Sequence, residues 1–333
     1  IPRTGASGYI GGDLLYLIAK RHPEYGVTAL VRNAAQIEPI KQVSDNGQVV
    51  QGTLDDEDIL EREASEADIV LNLASSSHVK SVQAIHHGLL SKLDRGEKPP
   101  YWIQMSGGAA VVSNEVADPN WEPGTGSDII WDDLDDIASI KSIIKSNPTR
   151  VVDNYMMSVA QSSSYIQTAV VYPPVIYGLG RGPVNQRSVQ IPDLVEASLK
   201  RRRAFRLGPG LNRWGNIHIR DLSEMILRLI EKAVEGNQDT NVWGKDGIYL
   251  TGVGELLLPD TSIEVLEGDQ FNQLLSHHAG FPGIVLYGTN SRGGPNRARK
   301  YLDWVPTHHS LAQDIVESVT REGVRLGLVE ADS

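Results

Sequence analysis

The chain has 333 residues, 40% of them hydrophobic, and a formal net charge of −11, which suits one large α/β body or a core domain with a smaller second lobe. The acidic balance argues against a nucleic-acid partner, and the absence of cysteine excludes disulfides, thiolate metal sites and a cysteine nucleophile. The apolar runs are strand-sized, far short of the ~20 residues of a membrane span; with no signal-peptide pattern at the start, a cytoplasmic protein without a membrane partner is expected.

The first motif, TGASGYIGG (4–12), follows only Ile1-Pro2-Arg3, where a full apolar strand is expected. Pro2 cannot donate a ladder hydrogen bond, so either the strand is cut short or its residues are misassigned. Gly5, Gly8 and Gly11 have the spacing G-x-x-G-x-x-G. One glycine makes the strand-to-helix turn, another lets backbone approach a pyrophosphate, and the third permits close helix-on-strand packing. The helix N-terminus then presents its unpaired N–H groups to the phosphates. No Gly-Lys-Ser/Thr follows, which excludes the Walker loop.

A helix over 11–22 and a strand over 27–31 (VTALV) come next, and Arg32 stands at the strand end. An NAD site carries an acid there for the ribose 2′-hydroxyl, whereas a guanidinium attracts a 2′-phosphate. NADP(H) is therefore expected in preference to NAD(H). Strands over 48–52, 67–74, 101–107 and 167–178 alternate with helices over 56–65, 79–93 and 150–163. Without hairpin signals, this order predicts a doubly wound parallel sheet, with ligands beyond the carboxyl ends of its strands. The acidic segment 118–136 (DPNWEPGTGSDIIWDDLDD) interrupts the alternation and reads as a solvated surface loop; a metal site would need its carboxylates to converge in space.

From about residue 180 Gly and Pro become frequent, with helices near 190–202, 219–235 and 308–327. The expected division is a dinucleotide-binding domain over 1–178 and a smaller substrate lobe over 179–333, some of whose elements return to the core. The basic run 200–203 reads as a solvated helix end. The pairs His86-His87, His277-His278 and His308-His309 are adjacent, so on a helix their rings diverge by about 100° and form no i, i+4 metal clamp. No metal is expected.

Taken together, TGASGYIGG, GTLDD (52–56), ADIVLNLA (67–74), VVYPPVIYGLGRGP (170–183), NIHIRDLSEMI (216–226) and SRGGPNRARKYLDWVP (291–306) resemble the extended and atypical short-chain dehydrogenase/reductase superfamily, in its epimerase/dehydratase-like or NmrA-like fungal branch. The resemblance implies that Thr4, Gly5, Ser7, Gly8, Tyr9, Ile10 and Gly11 cradle the pyrophosphate. It implies that Leu54 and Asp55 flank the adenine, and that Leu73, Ala74 and Ser75 line the ribose and pyrophosphate. Tyr172, Pro173, Pro174, Val175 and Ile176 would lie near the nicotinamide. His218 and Asp221 would pin the C-terminal lobe, and Arg213 falls one residue off the position that contacts substrate phosphate in sugar-nucleotide epimerases.

The family's chemistry uses a Tyr-x-x-x-Lys pair one helical turn apart, the lysine lowering the tyrosine pKa. Here Arg150 stands at the lysine position and Ser146 at the tyrosine position, while the literal match, Tyr16 to Lys20, lies on the first helix and reads as packing. Ser106 is present, but the hydroxyl expected two residues later is Gly108. Ser106, Tyr172 and Arg150 are the candidate catalytic residues, with Tyr155 and His78 as further acid/base candidates. Gly107, Gly108, Tyr177, Arg181, Arg187 and Arg213 are the candidate substrate-binding residues, and Arg292 and Arg297 would join the arginines to hold an anion.

Two readings follow. One is an NADP(H)-dependent oxidoreductase or epimerase acting on a small polar or carbonyl substrate. The other is a non-catalytic NADP(H)-sensing regulator of the NmrA-like type. A homodimer is possible through an apolar stripe of Val79, Val82, Ile85, Leu89, Val151, Tyr155 and Val159, which faces either a partner or the sheet.

Overall fold

The computed structural model describes residues 2–43, 46–162, 165–256, 263–275 and 282–330. His277 and His278 lie outside them. Strand and helix alternate through the first half: β1 (Pro2–Thr4), α1 (Tyr9–Arg21), β2 (Val27–Val31), α2 (Ile37–Lys41), β3 (Gly47–Gln51), α3 (Glu57–Ser65), β4 (Ile69–Asn72), α4 (Val79–Asp94) and β5 (Tyr101–Met105). The chain continues with α5 (Ser113–Ala117), β6 (Trp131–Asp132), α6 (Ile137–Ser146), α7 (Val151–Ser162), β7 (Gln167–Tyr172) and β8 (Val175–Tyr177). The second half contains α8 (Gln190–Arg201), β9 (Phe205–Leu207), β10 (Trp214–His218), α9 (Ile219–Val234), β11 (Ile248–Leu250), β12 (Gly254–Leu256) and β13 (Glu264–Leu266). It closes with α10 (Gly268–Leu275), α11 (Gly283–Gly288), β14 (Gly293–Gly294), α12 (Asn296–Tyr301) and α13 (Leu311–Arg325).

Seven parallel strands form the main sheet in the order β11-β7-β5-β4-β1-β2-β3. The chain winds outward from β1 in both directions, so the strand order reverses between β1 and β4 and opens a crevice at their carboxyl ends. Every residue of β4, β5 and β7 is buried, as expected of strands covered by helices on both faces. The strand before the glycine loop is three residues long, yet it pairs on both sides: Arg3 opposite Ala29 and Leu71, and Thr4 opposite Asn72.

The second half supplies part of this layer. β11 extends the sheet beside β7, and α9 lays Leu222, Met225, Ile226, Leu229 and Ile230, all fully buried, into the core cluster that also holds Leu14, Leu15 and Ile18 of α1. Burial of one such side chain contributes about 1.5–3 kcal/mol. The remaining elements make a smaller lobe with its own aromatic core around Phe205, Phe271 and Tyr287. The architecture is thus the expected α/β doubly wound domain with a smaller C-terminal lobe.

One sequence reading changes on contact with the structure, and two others become definite. The acidic segment 118–136 is not a solvated loop throughout. Asp133 is fully buried, accepting from the backbone N–H groups of Arg297 and Leu250 at 2.7 and 3.1 Å, and Gly124, Thr125 and Ser127 bond to the C-terminal lobe. The apolar stripe faces the sheet: Val82, Ile85, Leu89 and Val159 are buried in the core, and Val151 alone of the seven is exposed. His308 and His309 turn to different carboxylates, Asp221 at 2.7 Å and Asp314 at 3.3 Å. The ligand atoms of His309, Asp314 and Glu317 come within 4.8 Å of one another, but Asp314 already accepts from Ser318 and Arg321. No helix among the described residues is long and apolar enough to cross a membrane.

Candidate functional site

A cleft of about 870 Å³ opens along the carboxyl ends of the central strands. Its floor is set by a chain of buried polar side chains. Thr4 Oγ1 donates to Asn72 Oδ1 at 2.5 Å, Asn72 Nδ2 to Gln104 Oε1 at 2.9 Å, and Gln104 Nε2 to the Met105 carbonyl at 2.8 Å. These bonds fix the ends of β1, β4 and β5 relative to one another.

The glycine loop forms one wall. Gly5 has φ +78°, a conformation that side chains strain. A Cβ on Gly11 would lie 2.1 Å from the Gly5 carbonyl oxygen, so only glycine lets α1 start this close to the strand. Gly8 caps α1 without a side-chain hydrogen bond, leaving the first amides of the helix directed at the cleft with the positive end of its dipole. Tyr9 Oη donates to the Gly178 carbonyl at 2.6 Å and ties the loop to the turn after β8.

Of the sixteen expected cofactor residues, fourteen line this cleft: Thr4, Gly5, Ser7, Gly8, Tyr9, Ile10, Gly11, Arg32, Leu54, Asp55, Leu73, Ala74, Pro173 and Pro174. Ser75 and Val175 do not. The Ser75 carbonyl accepts from Gln104 Nε2, and strand alternation turns Val175 to the opposite face, into a cavity of the C-terminal lobe. At the outer end, His78 Nδ1 accepts from the Ser81 amide at 3.2 Å, which leaves the Nε2 proton for Asp55 Oδ1 at 3.1 Å. Asn185, Ser188 and Gln190 of the second half also line the cleft. Sequence reading missed them because no local motif marks a segment that becomes a wall only through folding.

Ser106 reaches the same cleft just past β5, its amide bonded to the Val171 carbonyl at 2.8 Å. The three candidate catalytic residues converge on a fourth that sequence reading missed, Asp153 on α7. Its carboxylate lies 3.9 Å from the Arg150 guanidinium and faces Ser106 and Tyr172. Ser106 Oγ, both Asp153 oxygens and Tyr172 Oη are buried without a close hydrogen-bond partner among the described residues. Burial raises the Asp153 pKa, against the opposing pull of Ser106, Arg150 and Tyr172. Burial and the neighbouring Asp153 charge also raise the Tyr172 phenol well above its ordinary value.

Residues 5–93 match a family model described as NAD(P)H-binding. Along 98% of both chains, the protein is 31% identical to Oxidase ucsJ of an Acremonium species. The chain belongs to the extended short-chain dehydrogenase/reductase family. Two solved structures share the fold: dTDP-glucose 4,6-dehydratase of Bacillus anthracis in complex with NAD (TM-score 0.61, 15% identity, 97% of this chain and 96% of that one) and UDP-glucuronic acid 4-epimerase of Bacillus cereus with UDP-glucuronic acid and NAD (TM-score 0.60, 15% identity, 96% and 98%).

These NAD complexes of the family fold overturn the expectation of NADP(H) over NAD(H). The physical error lay in reading Arg32 as an exclusion. Its side chain is exposed at the cleft rim, and an exposed guanidinium can also donate to ribose hydroxyls. Arg32 is therefore no ground for excluding NAD(H).

Two further sequence expectations meet a different arrangement in the structure. The expected anion-holding arginines are not brought together. Arg181 is bound to Asp13, Arg187 to Glu322, Asp193 and Glu196, Arg292 to Glu255, and Arg297 to the carbonyls of Asp133 and Asn241. Arg213 is half-buried and fixed through its amide to Asn290. The candidate tyrosines other than Tyr172 are also occupied. Tyr177 Oη donates to the His309 carbonyl at 2.7 Å, Tyr155 Oη pairs with His86 Nδ1 at 2.9 Å, and Tyr16 packs beneath the Arg181 guanidinium. Gly107 borders open space. Gly108 is packed tightly, its amide on the Pro173 carbonyl, and a Cβ there would meet Ser291 Oγ at 2.6 Å. His218 and Asp221 sit at the lobe junction, where Asp221 accepts from the amides of Thr307 and His308.

Proposed function

We propose that the protein is a nicotinamide-dependent oxidoreductase acting on a carbonyl or alcohol, in which Ser106, Asp153, Tyr172 and Arg150 replace the Tyr–Lys pair. The observation that carries this reading is their convergence beneath the cleft, with hydroxyl and carboxyl oxygens left without close partners. The cleft fits a dinucleotide: at Gly5 and Gly11 a Cβ would fill the space that backbone needs, and the start of α1 has no side-chain cap. We place the division between the dinucleotide-binding domain and the substrate lobe after residue 178, with α9 and β11 returning to the first.

When bound, the nicotinamide supplies or accepts the hydride. Ser106 Oγ donates to the substrate oxygen and orients it. In the reductive direction its proton passes to that oxygen while Asp153 gives its own proton to Ser106 Oγ. Burial keeps Asp153 protonated to higher pH than an ordinary carboxyl. The neutral Tyr172 phenol and the Arg150 guanidinium then face the new carboxylate and stabilise it.

Titration with NADH, followed by turnover against a panel of aldehydes and ketones, tests the reading. Tight NADH binding with turnover of at least one carbonyl supports it. Tight binding without turnover favours the second reading, a non-catalytic dinucleotide sensor of the NmrA-like type, which the absent Tyr–Lys pair supports. Failure to bind either NADH or NAD sinks both.

A further inference from the structure

The C-terminal lobe contains a second cavity, of about 120 Å³, on the opposite face of β8 from the cleft. Pro174 and Ile176 line the cleft, and Val175 between them lines the cavity. Gln190 and Ile191 divide in the same way. One layer of chain therefore separates the two spaces. The cavity wall is aromatic: Phe205 and Phe271 have ring centroids 5.8 Å apart, Phe271 and Tyr287 5.6 Å, and Trp214 and Tyr287 5.4 Å. Leu194 and Val175 complete its apolar side.

Its polar equipment is small: Arg206, Asn212, Asn216 and Tyr287. Asn212 Nδ2 is used on the carbonyls of Tyr287 and Thr289. Tyr287 is 3% exposed, and its Oη has no hydrogen-bond partner among the described residues. Arg206 Nε is likewise buried without one, while Arg206 Nη1 is held by the Pro209 carbonyl. Of the arginines that the sequence offered for an anion, Arg181, Arg187, Arg292 and Arg297 are committed to internal partners, while Arg213 is fixed through its amide. The wall is therefore mainly aromatic and aliphatic with few polar groups, which suits an apolar ring.

We propose that this cavity binds an apolar ring system.

The test uses the full chain and isothermal titration calorimetry with 2-naphthol and, separately, with UDP. The expected result is saturable binding of one 2-naphthol per chain with a negative heat-capacity change, and UDP at least tenfold weaker. Leu194→Trp, which fills the cavity without adding charge, should weaken 2-naphthol at least tenfold and leave the NADH titration unchanged. Trp214→Phe, which keeps the apolar wall, should retain 2-naphthol within about threefold and lose tryptophan quenching by it. It decides the matter if Leu194→Trp fails to fold. Absence of saturable binding, UDP binding tighter than 2-naphthol, or a folded Leu194→Trp variant with unaltered affinity overturns the proposal. If 2-naphthol binds and NADH does not, the cavity stands and the oxidoreductase reading falls.

Discussion

Arg181 grips Asp13 through three hydrogen bonds: its backbone N and Nε both donate to Oδ1 at 2.9 Å, and Nη2 donates to Oδ2 at 2.7 Å. This pair joins the turn after β8 to the helix that begins at the glycine loop. Asp13 is fully buried, and Ser223 Oγ on α9 adds a fourth bond at 2.7 Å. Two halves of the chain thus meet on one carboxylate.

Arg181→Ala removes the countercharge and leaves a buried carboxylate, which should cost about 3–5 kcal/mol. Burial alone raises the Asp13 pKa, but the bonds and charge of Arg181, with Ser223, bring it below the ordinary value. A depressed carboxyl pKa adds stability at pH above the unfolded value, and that stability is lost as pH falls through the folded value. In Arg181→Ala the loss should begin at higher pH. Urea unfolding at pH 7 and pH 4.5 measures both effects. Pairing it with Asp13→Asn should recover part of the loss, and no recovery would assign the cost to the lost arginine packing instead.

Two other buried groups oppose each other in mild acid. Burial, with the nearby His308 and His309, lowers His218 to about 4. Burial also raises Asp133 to about 7, against its bonds to Arg297 and Leu250. The fold favours neutral His218, so His218 withdraws stability as pH falls from the unfolded value near 6.5 toward 4. The fold favours protonated Asp133, so Asp133 withdraws stability as pH rises from near 4 toward 7. Each effect is worth about 3–4 kcal/mol at full extent. The wild-type profile between pH 4 and 7 should therefore be flatter than either variant's. In His218→Asn, stability should fall with rising pH; in Asp133→Asn, it should fall with falling pH. Parallel profiles for all three proteins would refute both assignments.

Gly11→Ala tests the cradle. The added methyl would sit 2.1 Å from the Gly5 oxygen and 2.7 Å from the Gly5 carbonyl carbon. Backbone must yield, and the loop is the part that can. We expect at least tenfold weaker NADH binding, or about 1.4 kcal/mol, and a stability loss of about 1–3 kcal/mol. Gly107→Ala, where an added Cβ meets nothing within 4 Å, serves as the control and should retain stability.

The parts legible in the sequence are those written in local order. G-x-x-G-x-x-G and the strand–helix alternation need only neighbours along the chain, and they led to the sheet, the crevice and most of the cleft lining. What was illegible depends on distant partners. Arg181 looks the same in sequence whether it meets a substrate or Asp13. Asp133 sits in a run of acids that reads as solvated, yet the pairing of β6 with β14 draws it inside. Asp153 gains meaning only when the ends of β5 and β7 bring Ser106 and Tyr172 to α7.

That last convergence yields the sharpest prediction. Asp153→Asn keeps the shape and mimics the protonated acid that burial favours, so stability should change by no more than about 1 kcal/mol. If Asp153 supplies the proton, turnover should fall at least hundredfold, about 2.7 kcal/mol of barrier, with NADH affinity within threefold of wild type. A residue that only supports packing would instead lower stability and NADH affinity together. Tyr172→Phe separates the roles further. It removes the phenol that faces the Asp153 carboxylate without removing the acid, so turnover should fall less and the pH at which activity declines should move upward. Equal turnover in wild type and Asp153→Asn would show that the proton comes from elsewhere, with His78 at the outer end of the cleft the next group to test.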